Sequence, residues 1–243
     1  MSPAPVIDLN ADVGERPGAE GIAADAAILA AVSSANVACG FHAGDAGTMR
    51  AVCSEAVARR KRIGAHVSHL DREGFGRGEL NVDPETLRDQ VVQQIEALRS
   101  VAGLVGGAVV YVKPHGTAYN VAAVARTYAD AIAAAVASVD PALKLLGPPD
   151  SALLAAAEAH GLEGVAEGFA DRAYAPDGTL APRSEPGSVL TEPNAVVTHA
   201  QELAETGRFR SLCLHTDTPG AADLALAVRN RLIGAGFEIR PFA

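Results

Sequence analysis

The chain has 243 residues, of which 49% are hydrophobic, so a sizeable core can form in one large domain or two small ones. A formal charge of −9 argues against a basic nucleic-acid footprint, and the absence of Trp with only 4% aromatics leaves little for base stacking.

The first predicted strand, 6–11, opens the segment Asp8-Leu9-Asn10-Ala11-Asp12-Val13-Gly14-Glu15. Alternate residues of a strand share a face. Asp8, Asn10 and Asp12 therefore point one way, and Ile7, Leu9, Ala11 and Val13 the other. The polar face either meets solvent or lines a site. Further strands are expected at 36–39, 62–66, 108–113, 143–146, 164–167, 211–215 and 237–240, with helical segments between them. Asp83-Pro84-Glu85 reads as an N-cap with Pro at the first helical position, opening a helix over 86–101. Thr218-Pro219 repeats that device before 220–233. Ala159-His160-Gly161 reads as a helix end. The stretch 169–190, rich in Pro, Gly, Asp and Arg, has the length of a binding loop or lid.

Seven or eight strands alternating with helices predict parallel β/α units. At this length the expected fold is a TIM-like barrel formed by a single domain over 1–243, with an open doubly wound sheet as runner-up. No G-x-G-x-x-G follows a strand, and the G-x-x-x-x-G-K-[ST] phosphate loop is absent. Met1-Ser2-Pro3-Ala4-Pro5 lacks the marks of a signal peptide, and no apolar run reaches membrane-spanning length. Cys39, Cys53 and Cys213 contain no C-x-x-C pair and suit a reducing cytosol, so a cytoplasmic protein without membrane contact is expected.

Polar residues recur where the predicted strands end. His42 and Asp45 follow the second, His66 the third, Lys113 and His115 the fourth, Asp171 and Arg172 the sixth, and His215 and Asp217 the seventh. In a barrel these ends form one rim, where active sites are built from several strands. A single strand-end His is ordinarily structural, and His69, His160 and His199 are read so. His42, His66, His115 and His215 share one topological position, which makes coincidence the weaker account. Cys39 is read as packing, and Glu15, beyond Gly14, as part of the loop. Asp171-Arg172 fits a structural ion pair or the lid equally well. The chemistry on offer is proton transfer by carboxylates and imidazoles, with Lys113 able to neutralise an oxyanion or phosphate.

"DLNADVGE", "SANVACGFHAGD", "GAH…GFGR", "VKPHGTAYN", "FADRAYAPDGTLAPRS" and "HTDTPGA" together resemble the LamB/YcsF lactam-utilisation family over almost the whole chain. The resemblance implies a distorted β/α barrel related to metal-dependent sugar deacetylases. It also implies the A component of bacterial 5-oxoprolinase, which opens 5-oxo-L-proline to L-glutamate with ATP, together with B and C subunits. On that basis Asp12 or Asp45 would position or deprotonate water, His66 and His115 would shuttle protons, and Lys113 would stabilise negative charge. Asn10, His42, Asp171, Arg172, His215 and Asp217 are the substrate-binding candidates. The deacetylase kinship points to Asp12, His66 and His115 as ligands for a divalent ion such as Mg, Zn or Mn. An Ala-rich helix face could also join copies of this chain. The sequence departs from the family pattern at Ala11, Val67-Ser68-His69 and Thr216, which bears on the exact lactam. A stand-alone metal-dependent amidohydrolase or deacetylase, and a lactam-binding subunit without its own chemistry, are the alternatives.

Overall fold

The computed structural model describes residues 3–175, 178–183, 185–216 and 220–243. Its elements in chain order are β1 (Val6–Val13), α1 (Gly18–Leu29), β2 (Ser34–Ala38), α2 (Ala46–Ala58), β3 (Arg62–Val67), α3 (Pro84–Leu104), β4 (Val109–Pro114), α4 (Gly116–Val124), α5 (Arg126–Val139), β5 (Lys144–Gly147), α6 (Ala152–Ala159), β6 (Gly164–Phe169), α7 (Pro193–Glu205), β7 (Ser211–Leu214), α8 (Ala221–Gly234) and β8 (Glu238–Ile239). Each expected strand is present, shifted by two residues or fewer at each end. Strands β1 to β7 lie side by side in sequence order, all parallel, and β1 pairs with both β2 and β7. That double pairing closes a seven-stranded barrel and removes the open-sheet alternative. The short β8 pairs with Val6 and Ile7 of β1.

Local chemistry sets the helix ends as expected. Asp83 caps α3 by accepting from the Thr86 amide at 2.9 Å, with Pro84 in the first turn. Helix α6 stops at His160, and Gly161 follows with φ +75°. The Thr218-Pro219 device and the candidate Asp217 lie outside the described residues. The 169–190 stretch carries two isolated antiparallel bridges, Arg172 to Val189 and Tyr174 to Leu180, among the described residues. Among these residues no single helix is long and apolar enough to cross a membrane; α4 and α5 pass together by composition but meet at 115°.

The main apolar core lies between the outward strand faces and the helices, with Ile7, Leu9, Ala11 and Val13 of β1 in it. The inward faces are different, because they carry polar side chains that are also buried. Asp8, Asn10 and Asp12 are 0%, 0% and 3% exposed. Buried polar groups need partners, and the barrel supplies them across strands. Asp8 accepts from Ser33 Oγ (2.7 Å), Ser34 Oγ (2.6 Å) and Ser211 Oγ. Asn10 Nδ2 donates to Glu167 Oε1 (2.9 Å) and Ser211 Oγ (2.7 Å). Asn36 Nδ2 donates to Asn10 Oδ1 and Asp12 Oδ1, both at 2.7 Å, and Tyr111 Oη donates to Asn36 Oδ1 at 2.6 Å. Below them Tyr111, Leu146 and Val165 form a small apolar plug against Phe242.

Burial pushes the Asp8 carboxyl up to about 6, against the three serine hydroxyls that favour its charge. The folded chain therefore holds a proton at Asp8 over a pH range where the unfolded chain has lost it. Stability from this group is present below about pH 4 and falls as pH rises to about 6. Compared with Asp8→Asn, the wild-type chain should lose about 3 kcal/mol of relative stability between pH 4 and 7. Urea unfolding of both chains at the two pH values measures this. An unchanged difference would show that Asp8 is ionised in the folded barrel throughout.

Candidate active site

At the C-terminal end of the barrel the inward faces of β1, β3, β4, β6 and β7 meet. The register sets Lys113 beside His66 and Asp12 beside Asn36. Lys113 Nζ, 2% exposed, lies 2.8 Å from Asp12 Oδ1, 3.3 Å from Glu167 Oε1 and 2.9 Å from Cys213 Sγ. Burial disfavours charge on both partners of the Asp12–Lys113 pair. Interaction with His66 and Lys113 nevertheless holds the Asp12 carboxyl well below its usual range, and Asp12 foremost holds the Lys113 ammonium well above its own. The pair is thus charged at neutral pH, at the centre of the rim.

Beyond Asp12 the chain turns at Gly14, whose φ of +76° suits glycine. The Asp25 carboxylate of α1 accepts from the Gly14 amide at 2.7 Å and pins the turn. Glu15 is thereby folded back over the rim. Its Oε1 lies 3.2 Å from His42 Nε2, 3.6 Å from His66 Nε2 and 3.5 Å from His115 Nδ1. Burial, reinforced by the Asp12 charge, pushes the Glu15 carboxyl up to about 7, while burial pushes His42 down to about 4. The donor atoms of Glu15, His42, His66 and His115 all lie within 4.8 Å of one another. Three imidazoles and one carboxylate can hold a divalent metal ion.

Next to this group opens a cavity of about 420 Å³, lined by Asp12, His66, Lys113, His115, Phe169 and His215, with Arg77, Arg172 and Arg183 also in its wall. Gly116, Thr117 and Asn120 from the start of α4 complete one side. His215 stacks on Phe169, with centroids 5.4 Å apart. Its Nδ1 lies 2.9 Å from Asp171 Oδ1, and its backbone amide donates to Asp171 Oδ2 at 3.1 Å. A carboxylate accepts only, so neutral His215 carries its proton on Nδ1 and offers Nε2 as the acceptor.

A profile of the LamB/YcsF family matches residues 7–243. The chain belongs to the LamB/YcsF family. It is 50% identical over 250 residues to the 5-oxoprolinase A subunit of Streptomyces griseus, covering 98% of this chain and 100% of that one. It is 47% identical over 248 residues to the 5-oxoprolinase A subunit of Nocardia farcinica, covering 97% of this chain and 99% of the relative. The lactam utilization protein of Thermus thermophilus superimposes with a TM-score of 0.89 at 38% identity, covering 98% of this chain and 100% of that structure.

Within this LamB/YcsF chain the expected site residues divide. Asp12, His66, Lys113, His115, Arg172 and His215 line the cavity, and Asp171 orients His215. Asn10 lies deeper, fully buried, with its amide and carbonyl engaged inside the barrel, so it orients neighbours and does not reach a ligand. Asp45 does not join the catalytic group. It is exposed at the N-cap of α2, where its carboxylate accepts from the Thr48 amide at 2.8 Å. His42 belongs to the Glu15 cluster. Asp12, expected as a metal ligand with His66 and His115, stands beside that cluster, with Oδ1 accepting from Lys113 and Asn36 and Oδ2 3.3 Å from His66 Nε2. Arg172 donates to the carbonyls of Ser188 and Ala181, so it shapes the 169–190 stretch as well as the cavity wall. Cys39 packs as expected, with its thiol donating to the Val37 carbonyl at 3.1 Å. Sequence reasoning missed Glu15, Glu167 and Cys213. For Glu167 a signal existed, since a lone acid within a buried strand needs a buried cation.

Proposed function

We propose that this chain is the A component of an ATP-dependent 5-oxoprolinase, which hydrolyses 5-oxo-L-proline to L-glutamate with cleavage of ATP to ADP and phosphate. B and C subunits are its partners, and a reducing cytosol fits its three buried free thiols. The observation that carries this reading is the charge of the cavity. In a chain of net charge −9, the described residues of its wall include Lys113, Arg77, Arg172 and Arg183 and one acid, Asp12, which is neutralised by Lys113. About 420 Å³ suits one small ligand, and these cations suit a lactam that bears a carboxylate. The names of the relatives support the same substrate.

A five-membered lactam is a poor electrophile, and phosphorylation of its amide oxygen by ATP activates the ring carbonyl carbon. Water then adds to that carbon, the C–N bond breaks as the ring nitrogen gains a proton, and a second water cleaves the resulting acyl phosphate to the free carboxylate and phosphate. Lys113 stabilises negative charge on the carbonyl oxygen, and Asp12 keeps Lys113 charged and oriented. His215, held by Asp171, takes the proton from water through Nε2 and returns it to the leaving nitrogen. His66 and His115 border the cavity and stabilise the charged groups beside it. Glu15, His42, His66 and His115 would hold a divalent ion, which when bound supplies a Lewis acid beside the cavity.

The same four-residue cluster favours one other reading, a metal-dependent amidohydrolase that works alone. Turnover of 5-oxoproline by the purified chain, with and without ATP and with and without the B and C subunits, separates the two. Glutamate formation that needs ATP and all three subunits supports the first reading. Formation by this chain alone, without ATP, supports the second. No glutamate from the full assembly with ATP would refute 5-oxoproline as the substrate.

A further inference from the structure

We propose that Glu15, His66 and His115, joined by His42, bind one borderline divalent transition-metal ion, of the class of Zn2+, Co2+ or Ni2+, in preference to Mg2+. Hydrogen-bond direction carries this assignment. His66 Nδ1 lies 3.1 Å from the Lys113 carbonyl oxygen, and His115 Nε2 lies 2.9 Å from the Phe75 carbonyl oxygen. A carbonyl only accepts, so each of these ring nitrogens carries the proton. The opposite nitrogens, His66 Nε2 and His115 Nδ1, then present lone pairs, and they face each other across 3.0 Å. Glu15 Oε1, a further acceptor, stands 3.6 and 3.5 Å from the same two atoms. Glu15 Oε1 has His42 Nε2 within 3.2 Å, but no donor stands between His66 Nε2 and His115 Nδ1, and two buried acceptors so close need a cation or an extra proton to hold them together.

Imidazoles anchored through one N–H on a backbone carbonyl, with the other nitrogen free, have the arrangement of metal-ligating histidines. Tetrahedral ligands at about 2.0–2.1 Å from an ion lie roughly 3.4 Å from one another, close to the separations found here. A nitrogen-rich donor set selects borderline ions over hard ones. Asp12 is placed outside the set because its Oδ1 accepts from both Lys113 and Asn36 and its Oδ2 approaches His66 alone, at 3.3 Å, and does not join the group in which all donor atoms converge.

His42 must move to complete the site. Its ring stacks on His115 with centroids 3.9 Å apart and planes 8° apart. An imidazole lone pair lies in the ring plane, so one ion cannot lie in both planes at once. His42 Nδ1 is buried without a hydrogen-bond partner and does not restrain the turn.

The competing account is an imidazolium at His66 that donates towards Asp12 Oδ2, 3.3 Å away. Direct binding decides between them, in the absence of substrate and so independently of the lactam reading. The full chain is stripped with chelator and titrated with Co2+, followed by calorimetry, visible absorption and thermal melting. One Co2+ per chain, visible Co2+ bands, a higher melting temperature and no displacement by a large excess of Mg2+ are expected. His66→Gln and His115→Gln should each weaken binding by roughly 100-fold or more, since losing a ligand costs at least as much as losing a ligand's hydrogen-bond partner, about 10–100-fold. Asp12→Asn should change it less than roughly tenfold. A folded wild-type chain that binds no stoichiometric Co2+ overturns the proposal in favour of the shared proton. Displacement by Mg2+, or an Asp12→Asn loss as large as that of His66→Gln, overturns the ion class or the ligand set.

Discussion

Lys113→Met is expected to abolish turnover and to destabilise the chain at the same time. The ammonium lies 2.8 Å from Asp12 and 3.3 Å from Glu167, and all three groups are buried. Methionine fills the stem volume but leaves two carboxylates without their cation. Breaking a buried ion pair by removing one partner costs about 3–5 kcal/mol, which in a domain of this size lowers the melting temperature by roughly 6–20 °C. Turnover by the assembled enzyme should fall on the order of 10³-fold, as when a charge-stabilising donor is removed. The double variant Lys113→Met/Asp12→Asn separates these effects. It removes one unpaired charge, so part of the melting temperature should return through the coupling of the two sites, about 0.5–3 kcal/mol. Turnover should stay lost. Wild-type turnover in a folded Lys113→Met chain would take Lys113 out of the reaction.

The second large effect is expected at a residue with no side chain. A Cβ on Gly64 would sit 2.0 Å from Tyr111 Cε2 and 2.2 Å from Tyr111 Cζ. The ring cannot step aside easily. It is fully buried, its hydroxyl donates to Asn36 Oδ1 at 2.6 Å, and Phe242 packs on it with centroids 5.0 Å apart. Gly64→Ala should therefore cost about 3 kcal/mol, the upper part of the usual range for an overpacked core, and disturb the Asn36 bonds to Asn10 and Asp12. Adding Tyr111→Leu should bring the melting temperature back towards wild type, since the crowding ring is gone. A Gly64→Ala chain that melts like wild type would show that the barrel interior yields at that point.

These two residues also show how far the sequence could be read. The alternation in β1 correctly grouped Asp8, Asn10 and Asp12 on one face, because strand parity depends only on the chain itself. Whether that face met solvent or a site was open, and the barrel answers with both burial and division of labour. Asp8 and Asn10 are locked into the interior, and only Asp12 reaches the cavity. Glu15 escaped parity because Gly14, at φ +76°, ends the strand rule just before it. The partners of Lys113 are contributed by β1 and β6, so spacing along the chain could not reveal them. Asp45 was placed at the rim correctly, but the geometry of α2 turns its carboxylate onto the Thr48 amide.

The sequence by itself determined the β/α alternation, the polar strand ends and the family, because periodicity, capping and motif order are properties of neighbouring residues. Tertiary structure alone decided the closure of β1 on β7, the Lys113–Asp12–Glu167 cluster and the convergence of Glu15 on three imidazoles. Those depend on the register between strands distant in sequence. A one-residue slip of any strand would turn its inward side chains outward and dismantle the site without altering a single motif.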